Sequence, residues 1–368
     1  MCINMNYTVK NFNENLLKIK FPSYVLGADI GGTNTNLGIA GIRNKKPILL
    51  FSLNFKSQEL PSLIPAVTET LTYAKKKYNI DIDNAVIGAA GVVSPSQDAA
   101  TLNNVPWDIS KKELIENTPL SSVYIMNDFQ MIGYGINMLN PENKDDLFSI
   151  TPRQRDSPGS TLAKAILGAG TGLGKSILVY NEHFNAHIPI PSEGGHGDFP
   201  PQNEFEMRLV NFIKKFRNIR QPLSYEEVLS GRGIESIYQF LRQEQQFKAS
   251  KYTEEIDENL DKTPLISKYK EQDETCKETF RLFSRFFGRC AKNFALDSLA
   301  RGGLYIAGGI ASKNKEIFTI RDFLNEFENA HQRSEVLKKI PVYIIVNYDV
   351  SLYGACFAAV YHLYKDTS

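Results

Sequence analysis

The sequence is poor in the residues that build metal centres and disulfide frameworks. It contains four Cys and five His in 368 residues. Cys2, Cys276, Cys290 and Cys356 lack the short spacings of a zinc site, so we expect free, buried thiols in a reducing compartment. The formal net charge is only +1, which provides no field that favours nucleic acid or an acidic membrane. We therefore expect no nucleic-acid partner.

Long hydrophobic runs are missing as well. No apolar stretch approaches the roughly 18 residues of a membrane span, so we expect a cytoplasmic protein without a membrane partner. Residues 1–22 resemble neither a signal peptide nor an Arg-rich transit peptide, and we expect a short helix packed on the first domain. The 42% apolar and 23% charged residues are ordinary for a globular chain, whose length suffices for two domains.

A glycine-rich turn occurs twice, each time after an apolar run that predicts a buried strand. Residues 27–35 read GADIGGTNT, and residues 168–174 read GAGTGLG. Glycine allows a tight turn and lets backbone N–H groups approach a ligand closely, and threonine adds a hydroxyl donor. Either copy alone is equally typical of an ordinary hairpin turn. Together they predict two domains that hold one polyphosphate from opposite sides.

Two known nucleotide motifs do not fit the second turn. The turn continues into Lys175-Ser176 and so approaches a Walker A motif, but Ala169 stands where that motif needs glycine. The residues that follow predict a strand, whereas Walker A requires a helix. The dinucleotide-binding spacing fails too, because Leu173 or Lys175 falls on its last glycine. The remaining interpretation is a hairpin whose turn holds phosphate.

The order of predicted elements indicates an α/β fold that opens with a β-meander. We expect loops at 140–159 and 247–262. We expect strands at 24–29, 36–42, 48–55, 85–90, 123–126, 164–168, 175–180, 303–307 and 342–346. We expect helices at 61–78, 128–139, 204–217, 224–230, 233–243, 270–300, 318–328 and 350–364.

Polar residues that could bind a ligand or take part in catalysis lie between the two turns. Asn127 and Asp128 follow a predicted strand and precede a helix, where ligand crevices of α/β sheets lie, although Asp128 could be a plain helix N-cap. Residues 191–198, PSEGGHGD, predict an ordered loop in which Glu193 and His196 could bind a polyol. A metal site there would lack a second His or Cys cluster.

Three weaker motifs complete the set. Ser224-Tyr225-Glu226-Glu227 fits a capping box, which occupies Glu227 and leaves Glu226 free to face a ligand. Asn104 lies in an Asn-rich turn before the only Trp, and amide side chains suit sugar hydroxyls. Residues 305–310, YIAGGI, predict a strand that ends in a glycine pair, which could admit a base and ribose or simply end the strand.

Taken together, these motifs resemble those of the bacterial-type (group A) glucokinases of the hexokinase/actin-like ATPase superfamily, including enlarged protozoan members. The resemblance runs from about residue 24 to 357. It rests on DIGGTN at 29–34, NDF at 127–129, GAGTGLG at 168–174, EGGH at 193–196, VLSG at 228–231 and AGGI at 307–310.

The resemblance implies a two-lobed, ribonuclease H-like fold with mixed sheets and a cleft between a small and a large domain. It implies an N-terminal extension at 1–23, a small domain at 24–137 plus 351–368, and a large domain at 138–350. The implied reaction is ATP- and Mg²⁺-dependent phosphorylation of the glucose 6-hydroxyl, a step of glycolysis, by a homodimer. The alternatives are a kinase of another hexose or amino sugar, a sugar-independent actin-like ATPase and a sugar-sensing regulator.

The family's roles transfer to matching positions of this chain. Asp128 is implied as the general base. The implied sugar ligands are Asn104, Asn127, Glu193, His196 and Glu226. The implied nucleotide contacts are Gly31, Gly32, Thr33, Asn34, Gly170, Thr171, Gly172, Gly308 and Gly309, with Asp29 near Mg²⁺. The family usually has Arg where this chain has Asn36, and the zinc-binding Cys cluster of the related ROK kinases is absent.

Overall fold

The computed structural model describes residues 5–12, 14–102, 105–150, 161–319 and 321–364 and has an α/β architecture. The strands are β1 (Tyr7–Asn11), β2 (Tyr24–Ile30), β3 (Asn34–Arg43), β4 (Lys46–Lys56), β5 (Asn84–Ala89), β6 (Gly91–Val93), β7 (Ala99–Leu102), β8 (Ile109–Ser110), β9 (Ser122–Asn127), β10 (Leu147–Ser149), β11 (Lys164–Ala169), β12 (Leu173–Asn181), β13 (Ala186–Ser192), β14 (Leu304–Ala307) and β15 (Val342–Ile345). The helices are α1 (Leu63–Tyr78), α2 (Lys111–Asn117), α3 (Asp128–Gly135), α4 (Glu204–Phe216), α5 (Tyr225–Val228), α6 (Gly231–Gln243), α7 (Thr253–Glu258), α8 (Thr263–Lys268), α9 (Glu274–Asp297), α10 (Gly309–Lys313), α11 (Lys315–Thr319), α12 (Arg321–Glu328), α13 (Ser334–Leu337) and α14 (Val350–Tyr364).

The chain divides into two compact units. The first unit comprises Met1–Asn140, Asn181–Pro189 and Asn347–Ser368, and the second comprises Pro141–Tyr180 and Ile190–Val346. The segments of each unit are therefore interleaved along the sequence. The C-terminal helix α14 belongs to the first unit, with the N-terminal strands.

The first unit is built on a mixed sheet in the order β1-β4-β3-β2-β5-β9. The strands β1 to β4 pair antiparallel, whereas β2, β5 and β9 run parallel. Helix α14 packs so closely on β2 that a Cβ at Gly27 would lie 2.6 Å from the backbone nitrogen of Cys356. A small antiparallel sheet, β6-β7-β8, is also part of this unit.

The second unit surrounds a sheet in the order β10-β15-β14-β11-β12-β13. The central strands β15, β14 and β11 are parallel, while β11 and β12 form an antiparallel hairpin. Helix α9 contributes a row of fully buried aromatic side chains, including Phe283, Phe286 and Phe287, to the core of this unit. Asp273 caps this helix by accepting a hydrogen bond from the Cys276 amide at 2.8 Å.

Every strand and helix predicted from residue 24 onward is present, with shifts at the ends. The predicted helix at 128–139 ends at Gly135 and continues as a 3-10 helix at Ile136–Met138. The helix predicted at 270–300 spans Glu274–Asp297, and the one predicted at 318–328 covers the end of α11 and all of α12. The periodicity of long segments therefore predicted whether each element is a helix or a strand, but it did not fix the residues at which the element begins and ends.

The expectation of a short packed helix in residues 1–22 is confirmed for a single turn, whose Leu16 and Leu17 pack against the core of the first unit, but a strand in this segment was not predicted. Tyr7–Asn11 forms the edge strand β1, which pairs with β4, and a short 3-10 helix follows at Leu16–Lys18. The aromatic and β-branched side chains of Tyr7, Thr8 and Val9 suit a pleated edge. The pairing is set by β4, which is far away in sequence, so local propensity could not reveal it.

Both predicted polar loops contain regular structure. The strand β10 lies within 140–159, of which residues 151–159 are outside the described residues, and helix α7 lies within 247–262. Strand β13 and the small β6-β7-β8 sheet were not predicted.

Cys276, Cys290 and Cys356 are buried free thiols, as predicted, while Cys2 is outside the described residues. No helix in the described part of the chain is long and apolar enough to cross a membrane.

Candidate active site

The first glycine loop (residues 31–33) is the turn of the β2–β3 hairpin. The Gly31 amide donates to the Asn34 carbonyl at 2.9 Å and so closes the turn. Among the described residues, the amides of Gly32 and Thr33 donate no hydrogen bond. A loop with two adjacent uncommitted N–H groups has the character of an anion site.

A short 3-10 helix at Ser57–Glu59 holds this loop from behind. The Ser57 hydroxyl donates to the Gly31 carbonyl at 2.6 Å, and the Ser57 amide donates to the Thr33 carbonyl at 3.0 Å. The indole N–H of Trp107 donates in turn to the Ser57 carbonyl at 3.4 Å. The carbonyls of the loop are therefore turned towards protein donors. Sequence reasoning missed Ser57 because nothing local connects it to the loop.

Three acidic side chains of the first unit influence one another. Asp29 is half-buried near the end of β2. Burial, together with the charges of Asp128 and Asp349, raises the pKa of Asp29 to about 7. Burial also raises the pKa of Asp128, although the backbone N–H groups of Phe129 and Asp128 oppose the shift. Asp349, just before α14, forms an ion pair with Lys10 of β1 at 2.5 Å.

The sequence missed Asp349, although a signal was present. The residue follows the buried strand β15 and precedes α14, and the carboxyl ends of parallel strands are where ligand crevices form. The effect of the Asp349 charge on the pKa of Asp29 depends on two segments from opposite ends of the chain, and no local sequence pattern connects them.

The possibility that Asp128 is a plain N-cap is wrong. Asn127 is the N-cap of α3, because its side-chain oxygen accepts the Phe129 amide at 2.8 Å. Asp128 is the first helical residue, and its carboxyl group is not used as that cap. The backbone N–H groups at the start of α3 stabilise the ionised form of Asp128, which partly offsets the rise in pKa caused by burial.

The second glycine loop (residues 170–172) is the turn of the β11–β12 hairpin. The Gly170 amide donates to the Gly172 carbonyl at 2.9 Å, and the Gly170 carbonyl accepts the Gly231 amide at 2.9 Å. The amide of Leu173 donates to a side chain described below, whereas the amides of Thr171 and Gly172 donate to none of the described residues. The two loops thus share a hairpin geometry, as the sequence predicted.

Lys175 does not take the place of a Walker A lysine. Its side chain is buried, and its ammonium lies 5.0 Å from the ring centre of Tyr225 and 5.4 Å from that of Phe294. These cation–π contacts orient the charge towards an aromatic pocket of the second unit. The sequence-based rejection of Walker A agrees with this position.

The histidine loop (residues 192–198) packs directly behind the second glycine loop. A Cβ at Gly195 would lie 1.9 Å from the Leu173 carbonyl, so only glycine fits there. The Gly197 carbonyl accepts the Tyr225 amide at 2.8 Å, which ties the loop to α5. Glu193 and His196 are exposed on this fixed backbone, with 3.8 Å between the Glu193 carboxylate and the His196 imidazole.

The predicted capping box at Ser224 does not form. The Ser224 side chain makes no cap hydrogen bond, and Glu227 instead pairs with Arg232 at 2.9 Å. Glu226 is not free either: it accepts the Leu173 amide at 3.0 Å and pairs with Arg232 at 2.5 Å. The pattern failed because Arg232, in the first turn of α6, provides a stronger partner for a carboxylate than a backbone amide does.

The glycine pair at 308–309 lies beside the second glycine loop. Strand β14 pairs in parallel with β11, which places Ala307 opposite Gly168. Gly308 has a φ of +92°, and a Cβ there would lie 2.4 Å from the Ala169 carbonyl. Gly309 begins helix α10, and a Cβ on it would meet open space. This turn can therefore accept a flat group close to the loop.

The remaining predicted positions are Asn34, Asn36 and Asn104. Asn34 begins β3 and accepts the Lys56 ammonium at 3.0 Å. Asn36 lies opposite Asp29 in the β2–β3 ladder and accepts a hydrogen bond from Asn54. Asn104 is outside the described residues.

The acidic residues fit a hard cation. Carboxylates that repel one another and are partly buried gain from a bound cation, and oxygen ligands suit Mg²⁺. In the described ranges no group of three or more His, Cys, Asp or Glu is arranged to hold a metal ion. In proteins, Mg²⁺ commonly uses one or two carboxylates and takes its other ligands from phosphates and water.

Comparison with known proteins shows the family of this chain. The family model described as Glucokinase matches residues 26–362. A glucokinase of Nostoc punctiforme is 34% identical over 350 residues, which cover 91% of this chain and 98% of that relative.

Solved structures agree with the family match. A glucokinase from an Antarctic psychrotroph aligns with a TM-score of 0.76 at 24% identity, over 93% of this chain and 99% of that one. The glucokinase of Balamuthia mandrillaris, in complex with glucose, aligns with a TM-score of 0.73 at 23% identity, over 92% of this chain and 93% of that one. These alignments show that the chain shares the fold of the two solved glucokinases. The chain belongs to the glucokinase family.

Proposed function

We propose that this chain transfers the γ-phosphoryl group of ATP to the 6-hydroxyl of D-glucose, giving glucose 6-phosphate, with Asp128 as general base. The observation that carries the proposal is the position of Asp128. It is a partly buried carboxyl group at the C-terminal end of a parallel strand, in the same unit as the first glycine loop.

The reaction requires only a weak base to accept the proton of the sugar hydroxyl. Phosphoryl transfer has a loose transition state, in which the attacking hydroxyl loses its proton late, so a carboxylate is a sufficient acceptor. Burial raises the pKa of Asp128, which makes its ionised form a better acceptor than an exposed aspartate. Asp128 must be ionised to act, so activity falls at low pH as this carboxyl group becomes protonated.

The sugar would be held mainly by side chains of the second unit. Glu193, His196 and Glu226 are proposed to bind its hydroxyl groups, together with Asn127 and Asn104. The Asn127 oxygen caps α3 with one of its two lone pairs, so its NH₂ group and one further acceptor position are left for sugar hydroxyls. Carboxylates and imidazole provide the acceptors and donors that a polyol requires.

The nucleotide would bind through backbone groups. The uncommitted amides of the two glycine loops are proposed to hold the phosphates, and the Gly308–Gly309 turn to lie beside adenosine. Asp29 would hold Mg²⁺, which when bound neutralises charge on the transferring phosphoryl group. Preorganised amides stabilise developing phosphate charge without reorganising during the reaction.

The proposal also covers the setting of the enzyme. We propose that the protein is a cytoplasmic homodimer that acts in glycolysis. This part of the proposal rests on the resemblance to the glucokinases. Sedimentation of the full chain would test the oligomeric state.

The decisive variant is Asp128→Ala. We expect kcat to fall about 100- to 10,000-fold, the usual contribution of a general base, while glucose binding is retained. Asp81→Ala is the control, because Asp81 is an exposed aspartate of the same unit whose ion-pair partner among the described residues is Lys75, at 2.7 Å. A near-normal kcat for Asp128→Ala would refute the assigned role.

A further inference from the structure

The two carboxylate oxygens of Glu226 have different partners. Oε2 accepts the Leu173 amide at 3.0 Å, immediately after the second glycine loop. Oε1 accepts the Arg232 guanidinium at 2.5 Å. The side chain of Glu226 is only 16% exposed. Hydrogen bonds to a charged group are stronger than neutral ones, so this carboxylate is fixed relative to the loop.

The loop is shaped to receive this carboxylate. A Cβ at Gly172 would lie 2.5 Å from Glu226 Oε2, so a side chain there would displace the carboxylate. On the other side of the turn, the Gly231 amide donates to the Gly170 carbonyl. Residues of α5 and α6 therefore hold both ends of the second glycine loop.

We propose that Glu226, besides binding sugar, is a positioning residue for the second glycine loop, so that sugar and nucleotide binding are coupled through one carboxylate. This inference rests on the proposed function. A carboxylate has about four acceptor positions, so Glu226 can accept a sugar hydroxyl and keep its bond to Leu173. A bound sugar then restricts the carboxylate and with it the loop, which lowers the ordering cost of nucleotide binding.

Arg232 makes the arrangement electrostatically possible. A bare carboxylate next to a loop that binds phosphate would repel the ligand. The guanidinium of Arg232 lies 2.5 Å from Glu226 and 2.9 Å from Glu227, and it is 41% exposed. We therefore expect Arg232→Ala to weaken nucleotide binding more than sugar binding, because it uncovers the charge of Glu226.

The direct test is calorimetric titration of the full chain with the ATP analogue AMPPNP and Mg²⁺ in the absence of sugar. A carboxylate that only binds sugar has no influence on this measurement. We expect Glu226→Ala to weaken AMPPNP binding about 10-fold or more, because the loop loses a charge-assisted hydrogen bond. Wild-type affinity for AMPPNP in Glu226→Ala would overturn the inference.

Glu193→Ala is the matched control. It removes another proposed sugar carboxylate, one that is 93% exposed and contacts the neighbouring His196. We expect this variant to lose glucose affinity and to keep sugar-free AMPPNP affinity. Equal losses of AMPPNP affinity in Glu193→Ala and Glu226→Ala would overturn the inference, because they would show no special link between Glu226 and the loop.

Repeating the titration with saturating glucose measures the coupling itself. We expect glucose to tighten AMPPNP binding to the wild type about 5-fold or more, and to do so less in Glu226→Ala. An undiminished effect in the variant would contradict the coupling. If the wild type lacks glucose-dependent turnover, the proposed function fails, whereas the sugar-free titration still tests the positioning role.

A double-mutant cycle distinguishes the proposed contact between Glu226 and the loop from a general loss of structure. Gly172→Ala should weaken AMPPNP binding strongly in the wild type, where its Cβ collides with Glu226, and less in Glu226→Ala, where the collision is gone. Additive effects of the two substitutions would contradict the proposed contact. Glu226→Gln, which keeps the size and one acceptor oxygen, should fall between the wild type and Glu226→Ala.

Discussion

At the scale of single residues, Asp29 is a carboxyl group whose ionised form is disfavoured electrostatically. Its carboxyl is removed from water and lies near the charges of Asp128 and Asp349, which raises its pKa to about 7. Such a group destabilises the fold when it is ionised. Proteins keep groups of this kind where a ligand or cation relieves them.

This strain predicts a pH-dependent stability. Because the folded pKa of Asp29 is above its usual value of 3.8, its favourable contribution is complete below about pH 4 and is lost as the pH rises through about 7. We expect Asp29→Asn to be more stable than the wild type at pH 8, by at most about 4 kcal/mol, since one pKa unit corresponds to about 1.4 kcal/mol.

Thermal unfolding in EDTA, at pH 8 and at pH 4.5, would measure this effect. The advantage of Asp29→Asn should shrink at the lower pH, where the wild-type carboxyl group is protonated in the fold. An advantage of the same size at both values would contradict the raised pKa. Catalytic activity should be lost in the variant at either pH, because the proposed Mg²⁺ ligand is gone.

At the scale of elements, the histidine loop and the β11–β12 hairpin form one packed body. Gly195 lies against the Leu173 carbonyl, Gly197 binds Tyr225, and Arg289 of α9 donates to the Pro200 carbonyl at 2.9 Å just beyond the loop. The exposed Glu193 and His196 therefore stand on a backbone that is fixed from three sides.

Gly195→Ala tests this packing. Its Cβ would lie 1.9 Å from the Leu173 carbonyl, and the histidine loop would have to move. We expect KM for glucose to rise about 10-fold or more, which corresponds to about 1.4 kcal/mol of lost binding. Gly197→Ala is the control, because its nearest neighbour would be the Gly194 carbonyl at 3.3 Å and its backbone bonds are kept. Similar KM values for the two variants would refute the steric account.

A buried ion pair joins α4 to α9. Arg289 and Glu206 are 1% and 0% exposed, and the guanidinium contacts the carboxylate at 2.7 Å and 3.0 Å. Burial alone would raise the pKa of Glu206, but hydrogen bonds from Arg289 and the Gln202 amide hold it below its usual value.

Removing one partner of this pair should be costly. We expect Arg289→Ala to lower the free energy of unfolding by about 3 kcal/mol, because the buried Glu206 carboxylate loses two charge-assisted hydrogen bonds and keeps its contact with Arg285 at 3.1 Å. Urea denaturation measures the loss. Arg289→Met combined with Glu206→Gln should lose less than the sum of the single changes, and a fully additive loss would contradict the pairing.

The sequence predicted elements where the local pattern carries the information. Both glycine hairpins and the helices with a clear apolar face were predicted because turn chemistry and periodicity decide them. Strand β1 and the partners of Glu226 were not predicted, because β4 and Leu173 lie far away in sequence. At Ser224 the local capping pattern was present, but Arg232 took both acidic side chains instead.

At the scale of the whole molecule, the chain is assembled from interleaved segments. The first unit takes Asn347–Ser368 from the C-terminal end of the chain, and the family match covers residues 26–362 across both units. The α/β class, the motif order and the family could be predicted from the sequence. The influence of Asp349 on Asp29 could not, since it depends on how α14 returns to the first unit.

The central claim is that this chain phosphorylates glucose with ATP. The most direct measurement is ADP release by the full wild-type chain with ATP and Mg²⁺, with and without D-glucose, together with identification of the sugar product. We expect ADP release to depend on glucose and to match glucose 6-phosphate formation one to one. ADP release that is unchanged by glucose would contradict the claim and indicate an ATPase without a sugar substrate.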